Sequence, residues 1–243
     1  MRLHRFFLQA DLQKSPLDVD DPHLCHQLFK VLRLREGDHV LLLDGKGKEA
    51  EATLREISPM RARFSLHSVH EASAEPKKNV MLYCSILKRE NFEWVIQKAT
   101  EVGVREIIPI LSSRTVKMGL KIERLGAIAK EAAEQSGRGI IPRIHPPQDF
   151  SEALKDAPSN VSHFFFHPER SPLQRDESNV HSSIGVWIGP EGGWTEKEVA
   201  LAKEKGFSLV SLGSLALRAE TAAVIACYLM VQRREETDSL SPS

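Results

Sequence analysis

The sequence predicts an α/β protein in which a parallel sheet with helices on both faces follows a smaller, mostly β domain. Three observations carry this. From residue 80 onward, short apolar runs alternate with amphipathic stretches closed by glycine, the pattern of repeated βα units. Before residue 72 the apolar residues mostly recur with a period near two and are broken by turn signals, which reads as strands. Between the two regions, residues 71–79 (EASAEPKKN) are polar, carry proline and show no period, so the linker is placed at 73–79.

In the N-terminal region, residues 5–8 (RFFL) form the first strand. Residues 23–34 are expected to be a helix with Leu24, Leu28, Val31 and Leu32 on one side. Residues 38–43 (DHVLLL) are the next strand, and Asp44-Gly45 with Gly47 signals a hairpin. Residues 49–57 and 61–69 alternate as an antiparallel ribbon around Ser58-Pro59-Met60. Together these predict a small β-barrel with one helix over residues 1–72.

The second domain spans 80–234, with a flexible tail over 235–243. Its strands are expected at 80–87, 106–111 and 161–166. Helices are expected at 91–102, ended by Gly103, and at 122–136, ended by Gly137. Pro142, Pro146 and Pro147 break the chain before a short helix at 150–154. The stretch from 184 to 230 then organises the domain. Gly185-Val186-Trp187-Ile188 reads as a strand buried on both faces. Gly189-Pro190-Glu191-Gly192-Gly193 follows, where glycine lets the backbone approach a ligand without Cβ interference. Thr195 and Glu198 have the spacing of a capping box, so a helix starts there, and it stops at Gly206. Residues 207–212 form another strand, broken at Gly213, and a last helix starts near Arg218, Glu220 and Thr221.

Both glycine-broken turns fall just past the carboxyl end of a strand, where open α/β sheets bind ligands. The alternative is an ordinary βαβα unit whose glycines only make tight turns. No GxGxxG occurs, so the usual dinucleotide loop is absent.

Lys+Arg and Asp+Glu both number 33, a formal net charge of zero, which argues against a sequence-independent nucleic-acid coater. Any RNA contact must come from a local patch. No apolar run approaches the ~20 residues of a membrane span, and the first residues turn acidic too soon for a signal peptide. Cys25, Cys84 and Cys227 form neither a disulfide framework nor a zinc spacing, which fits a reducing, cytoplasmic setting. His23 and His26 lack the partners of a metal site, so no metal is expected.

The words IGPEGG, then a helix, a strand, LG and LRAETA, resemble the small-subunit ribosomal RNA uridine-N3 methyltransferases of the SPOUT superfamily. Upstream, FEWVIQKATEVG (92–103), EAAEQSGR (131–138) and VLRLREGD (31–38) are similar to the family's motifs as well. The resemblance implies a C-terminal SPOUT-type sheet with a trefoil knot and an N-terminal PUA-like RNA-binding domain. It also implies S-adenosylmethionine as cofactor, 16S rRNA or the small ribosomal subunit as partner, and a homodimer. One departure stands out: the family usually has Arg followed by Ile or Val where this chain has Leu215-Ala216.

With that resemblance, the methyl donor is expected against Gly189, Pro190, Glu191, Gly192, Gly193, Leu212 and Gly213, with Arg218 and Thr221 also among the residues that bind it. Ile188, Leu212 and Leu217 would sandwich the adenine, and Phe166 and His167 belong to a third wall. Methylation at uracil N3 requires loss of its proton, so Glu220 is the candidate base and Arg218 the candidate cation, with Arg138 nearby and Thr221 capping the last helix. The plainer alternative is that Arg218 and Glu220 pair with each other or cap the helix. Arg2, Arg5, Lys30, Arg33 and Arg35 are the candidate phosphate contacts; alternatively they are solvated surface charges. Two rival functions remain: an RNA-binding assembly factor with a degenerate knot, and a nucleotide-phosphate enzyme using residues 189–193 as an anion nest. Glu191, Glu196 and Glu198 would repel phosphate and oppose the latter.

Overall fold

The structure, a computed structural model, describes residues 3–72, 75–115, 119–168 and 181–233. Residues 73 and 74 of the expected linker and the expected tail at 235–243 lie outside the described residues. The chain divides into two compact units, one made of Met1–Glu75 with Ala133–Ile141, the other of Pro76–Ala132 with Pro142–Ser243.

The first unit is built on β1 (His4–Phe7), β2 (Leu17–Val19), β3 (His39–Leu43), β4 (Lys48–Ile57) and β5 (Ala62–Glu71). They form one sheet in the order β1-β3-β4-β5-β2. β1 runs parallel to β3 and the other pairings are antiparallel. The hairpin expected at Asp44 is present. The Asp44 carboxylate accepts from the N–H groups of Lys46 and Lys48 at 2.7 and 3.0 Å, and Gly47 takes φ +111°. Phe6, Leu28, Val40, Leu42, Leu54 and Phe64 fill the core of this unit.

The helix expected over 23–34 differs. It is a short α1 (Pro22–His26), capped by the Asp21 carboxylate, followed by one π-helical turn over Gln27–Val31. A π turn inserts a residue into the helical period. Leu24 and Leu28 therefore stay in the core while Val31 rotates out to 63% exposure. Arg33 then adopts φ +53°, which ends the helical path. Strand β2, an edge strand of three residues, has too few positions for a period to show.

The second unit is the predicted parallel α/β sheet. Its elements are β6 (Asn79–Ser85), α2 (Arg89–Val102), β7 (Glu106–Leu111), α3 (Ile122–Ser136), β8 (Arg143–Ile144), β9 (Gln148–Asp149), α4 (Phe150–Asp156), β10 (Ser162–Phe166), β11 (Ser183–Ile188), α5 (Glu196–Glu204), β12 (Ser208–Val210) and α6 (Ala219–Val231). The order is β12-β10-β11-β6-β7-β8, with β9 also beside β7, and every pairing is parallel. The last turn of α3 is grouped with the first unit. Gly103 closes α2 in the left-handed conformation at φ +107°, as its position predicts. Strand β12 is shorter than expected, and β8 and β9, two residues each among prolines, are too short to show a period.

Met81, Tyr83, Phe165 and Trp187 pack with residues of α4 and α5. The alternate residues of β6 and β11 face α6, which also packs on α2. On the α4/α5 side the rings of Tyr83 and Trp187 stack at 4.1 Å, and burial pushes the Tyr83 hydroxyl up to about 12. The Trp187 indole N–H donates to Nδ1 of His163 at 3.1 Å, so the His163 proton sits on Nε2, which faces the Pro158 carbonyl at 3.1 Å. A Cβ on Gly185, the cross-strand partner of His163, would run into that imidazole.

Candidate active site

A cavity of about 520 Å³ opens at the carboxyl ends of the neighbouring strands β12, β10, β11 and β6, wholly within the second unit. Three walls are loops that leave those strands: Phe166 to Pro168 after β10, the 188–194 loop after β11, and residues 211–217 after β12. The fourth side is Lys88 and Asn91 at the start of α2, with Arg218 and Glu220 at the start of α6.

The loop after β11 is held at several points. Gly193, at φ +68°, donates its N–H to the Pro190 carbonyl at 2.8 Å, closing a turn. The Trp194 indole donates to the Phe166 carbonyl at 3.2 Å, tying this wall to the one after β10. Past Trp194 the predicted capping box is present: Thr195 caps α5, and the Glu198 carboxylate accepts from the Thr195 N–H at 2.7 Å. Burial alone would raise the Glu198 carboxyl, but donors from Ser113 and Thr195 outweigh it and hold it below the usual glutamate value. At the front of the loop, Glu191 accepts from the Lys88 N–H at 3.2 Å, placing a carboxylate at the positive end of α2. In the loop after β12, Gly213 takes φ +118°, which suits glycine alone.

Of the expected donor-site residues, Phe166, His167, Ile188, Gly189, Pro190, Glu191, Gly193, Leu212, Gly213, Leu217 and Arg218 line this cavity, as does Glu220. Gly192 does not; its carbonyl faces away and accepts from Arg114. Thr221 lies within α6, whose N-cap position is Arg218, so it does not cap that helix and does not line the cavity. The Arg218 side chain makes no cap hydrogen bond. No ion pair joins it to Glu220 among the described residues. One carboxylate oxygen of Glu220, Oε2, is buried without a hydrogen-bond partner among the described residues.

Arg138 belongs to the first unit and does not line the cavity. It is buried, and its guanidinium meets both oxygens of Glu75, at 3.3 and 3.0 Å. Glu75 also accepts from the N–H groups of Gly139 and Ile140, both at 2.9 Å, so Arg138 belongs to a structural network of hydrogen bonds. Arg5 is likewise turned inward, to Glu49 at 3.0 Å and to the Gly137 carbonyl at 2.9 Å. Lys30, Arg33 and Arg35 are exposed on the first unit, with the Lys30 ammonium over the Phe29 ring. Arg2 lies outside the described residues.

Sequence reasoning missed Lys88, Asn91, Trp194 and Ser211. Lys88 and Asn91 follow the carboxyl end of β6, a place where ligands are expected, but no glycine marks that turn.

A family model described as an RNA methyltransferase domain matches residues 73–231, and one described as an RNA methyltransferase PUA domain matches residues 26–65. The ribosomal RNA small subunit methyltransferase E of Synechocystis sp. is 36% identical over 208 residues, covering 83% of this chain and 68% of the relative. The Bacillus subtilis protein of the same name is 29% identical over 241 residues, 92% and 94% of the two chains. The crystal structure of a ribosomal RNA small subunit methyltransferase E from Neisseria gonorrhoeae bound to S-adenosyl methionine is similar with a TM-score of 0.87. It is 33% identical and covers 94% of this chain and 97% of that one.

Proposed function

We infer the reaction from one premise: this chain belongs to the RNA methyltransferase domain family, beside the ribosomal RNA small subunit methyltransferases E. We propose that it methylates N3 of a uridine in 16S rRNA, using S-adenosylmethionine. The observation that carries this is the cavity, walled by loops at four parallel strand ends and lined by both Arg218 and Glu220.

The residues present fit that donor. A volume of about 520 Å³ falls within the roughly 300–1,000 Å³ of small-molecule sites. The glycine-broken loops offer N–H and C=O groups to adenine edges, and Ile188, Leu212 and Leu217 offer apolar faces to its ring. Glu191 and Glu220 bring carboxylates to a cavity that would hold a cationic sulfur. Bound there, the donor supplies an electrophilic methyl group. Glu220 accepts the proton from uracil N3, a base contribution worth roughly 10²–10⁴-fold. Arg218 faces the charge that develops on the uracil oxygens.

The exposed Lys30, Arg33 and Arg35 of the first unit are the proposed phosphate contacts, a local patch on a chain with no net charge. No helix of the described residues is long and apolar enough to cross a membrane, and none of their side-chain clusters suits a metal. We place the protein in the cytoplasm. Helix α6 is apolar around most of its circumference and exposes Ile225, Tyr228 and Leu229, and α2, which packs on α6, exposes Trp94. A helix of that kind is ordinarily covered, and a second copy of the chain is the proposed cover. The trefoil knot is part of the same proposal, supported by the insertion of β11 between β10 and β6.

The exposure of Leu215, 79%, at the cavity rim where the family usually has arginine favours one rival, an RNA-binding factor without transfer activity. Incubation of small-subunit RNA from cells lacking the modification with labelled donor, followed by mass-spectrometric mapping, separates the two. A methyl group on uridine N3 is expected; binding of RNA without methyl transfer would establish the rival.

A further inference from the structure

Arg114 stands on the turn after β7, outside the cavity lining and outside every motif singled out in the sequence. Its Nη1 donates to the Gly192 carbonyl at 2.6 Å and reaches the Trp194 carbonyl at 3.4 Å. The carbonyl of Gly192 and the N–H of Gly193 belong to one rigid peptide plane. That plane is therefore held at both poles, the oxygen by Arg114 and the N–H by the Pro190 carbonyl at 2.8 Å. Two consecutive glycines are the least restrained point of the wall, and this is the point that Arg114 holds.

The turn bearing Arg114 is itself fixed. The Ser113 N–H donates to Oε1 of Glu198 at 2.8 Å, the same carboxylate whose other oxygen anchors Thr195. Ser112 and Thr115 close the turn through hydroxyl and main-chain hydrogen bonds, and the Ser85 hydroxyl at the end of β6 donates to Ser112 at 3.1 Å. A closed circuit results, from Gly192 through Arg114, Ser113, Glu198 and Thr195 back to Trp194. Charge-assisted hydrogen bonds such as that of Arg114 are roughly twice as strong as neutral ones.

We propose that Arg114 is a positioning residue for the methyl donor: it pins the Gly192–Gly193 peptide so that the loop keeps the shape the donor requires. The inference rests on the proposed donor site. Its test is calorimetric titration of S-adenosylmethionine into the wild-type full chain, Arg114→Ala and Arg114→Lys, with the KM for RNA measured in parallel. Arg114→Ala is expected to bind the donor about tenfold more weakly with its KM for RNA unchanged. Arg114→Lys, which keeps one charged donor, is expected to recover at least a few-fold of that loss. Equal donor affinity in wild type and Arg114→Ala overturns the inference and leaves the donor site standing. A raised KM for RNA with unchanged donor affinity also overturns it, because Arg114 would then be a phosphate contact. Absence of donor binding by the wild type overturns the donor site and this inference together.

Discussion

The indole of Trp194 lies against Gly189 so closely that a Cβ on that glycine would stand 3.1 Å from the ring. The same indole is fixed by its hydrogen bond to the Phe166 carbonyl and by stacking on Phe165 at 4.6 Å, so it cannot easily yield. Gly189 is thus required by a neighbour, whereas Gly193 is required by its φ of +68°.

Gly189→Val and Gly193→Val are each expected to weaken donor binding by tenfold or more, equivalent to about 1.4 kcal/mol, in a calorimetric titration. Gly126 makes the contrast. It sits inside α3, and a Cβ added there would meet nothing within 4 Å. Gly126→Ala should leave donor binding alone and raise stability by about 0.5–1 kcal/mol in denaturant unfolding.

Glu220→Gln keeps the shape of the side chain and removes its basicity. If Glu220 takes the uracil proton, kcat should fall roughly 10²–10⁴-fold while donor affinity changes little. An unchanged kcat in Glu220→Gln would assign the base to another group.

Burial holds the His163 imidazole below the ordinary histidine value of 6.5, in spite of its hydrogen bond to the Pro158 carbonyl. The unfolded chain therefore takes up a proton at higher pH than the folded one. Stability from this site is complete above about pH 6.5 and falls as pH drops below it, until the folded ring is itself protonated. Thermal melts between pH 8 and 5 should show that decline, and it should be shallower in His163→Gln.

Much of the second unit was legible because its glycines and apolar runs sit at element boundaries. Gly103, Gly137 and the Thr195–Glu198 box each ended or began a helix where the sequence placed it. The π turn at Gln27–Val31 was not legible, since periodicity assumes one helical pitch throughout. In the candidate site, the main-chain walls were marked by glycine. The inward turn of Arg5 and Arg138 was not foreseen, because it depends on Glu49 and Glu75, carboxylates distant in sequence. Arg114 was invisible for the same reason: its partner, Gly192, lies 78 residues further along.

Placing a charge on the exposed face of α6 tests the proposed pairing of two copies. Tyr228 is 52% exposed, so Tyr228→Glu should fold normally as an isolated chain. Sedimentation velocity is expected to show a dimer for the wild type and a monomer for the variant. A monomeric wild type would remove the second copy from the account.

The most direct measurement is a structure of the full chain crystallised with S-adenosylmethionine. The account predicts density for the donor against the main chain of residues 188–194 and 211–217, with its methyl group directed toward Glu220. Donor bound elsewhere, or a cavity filled by the protein's own side chains at saturating donor, would contradict it.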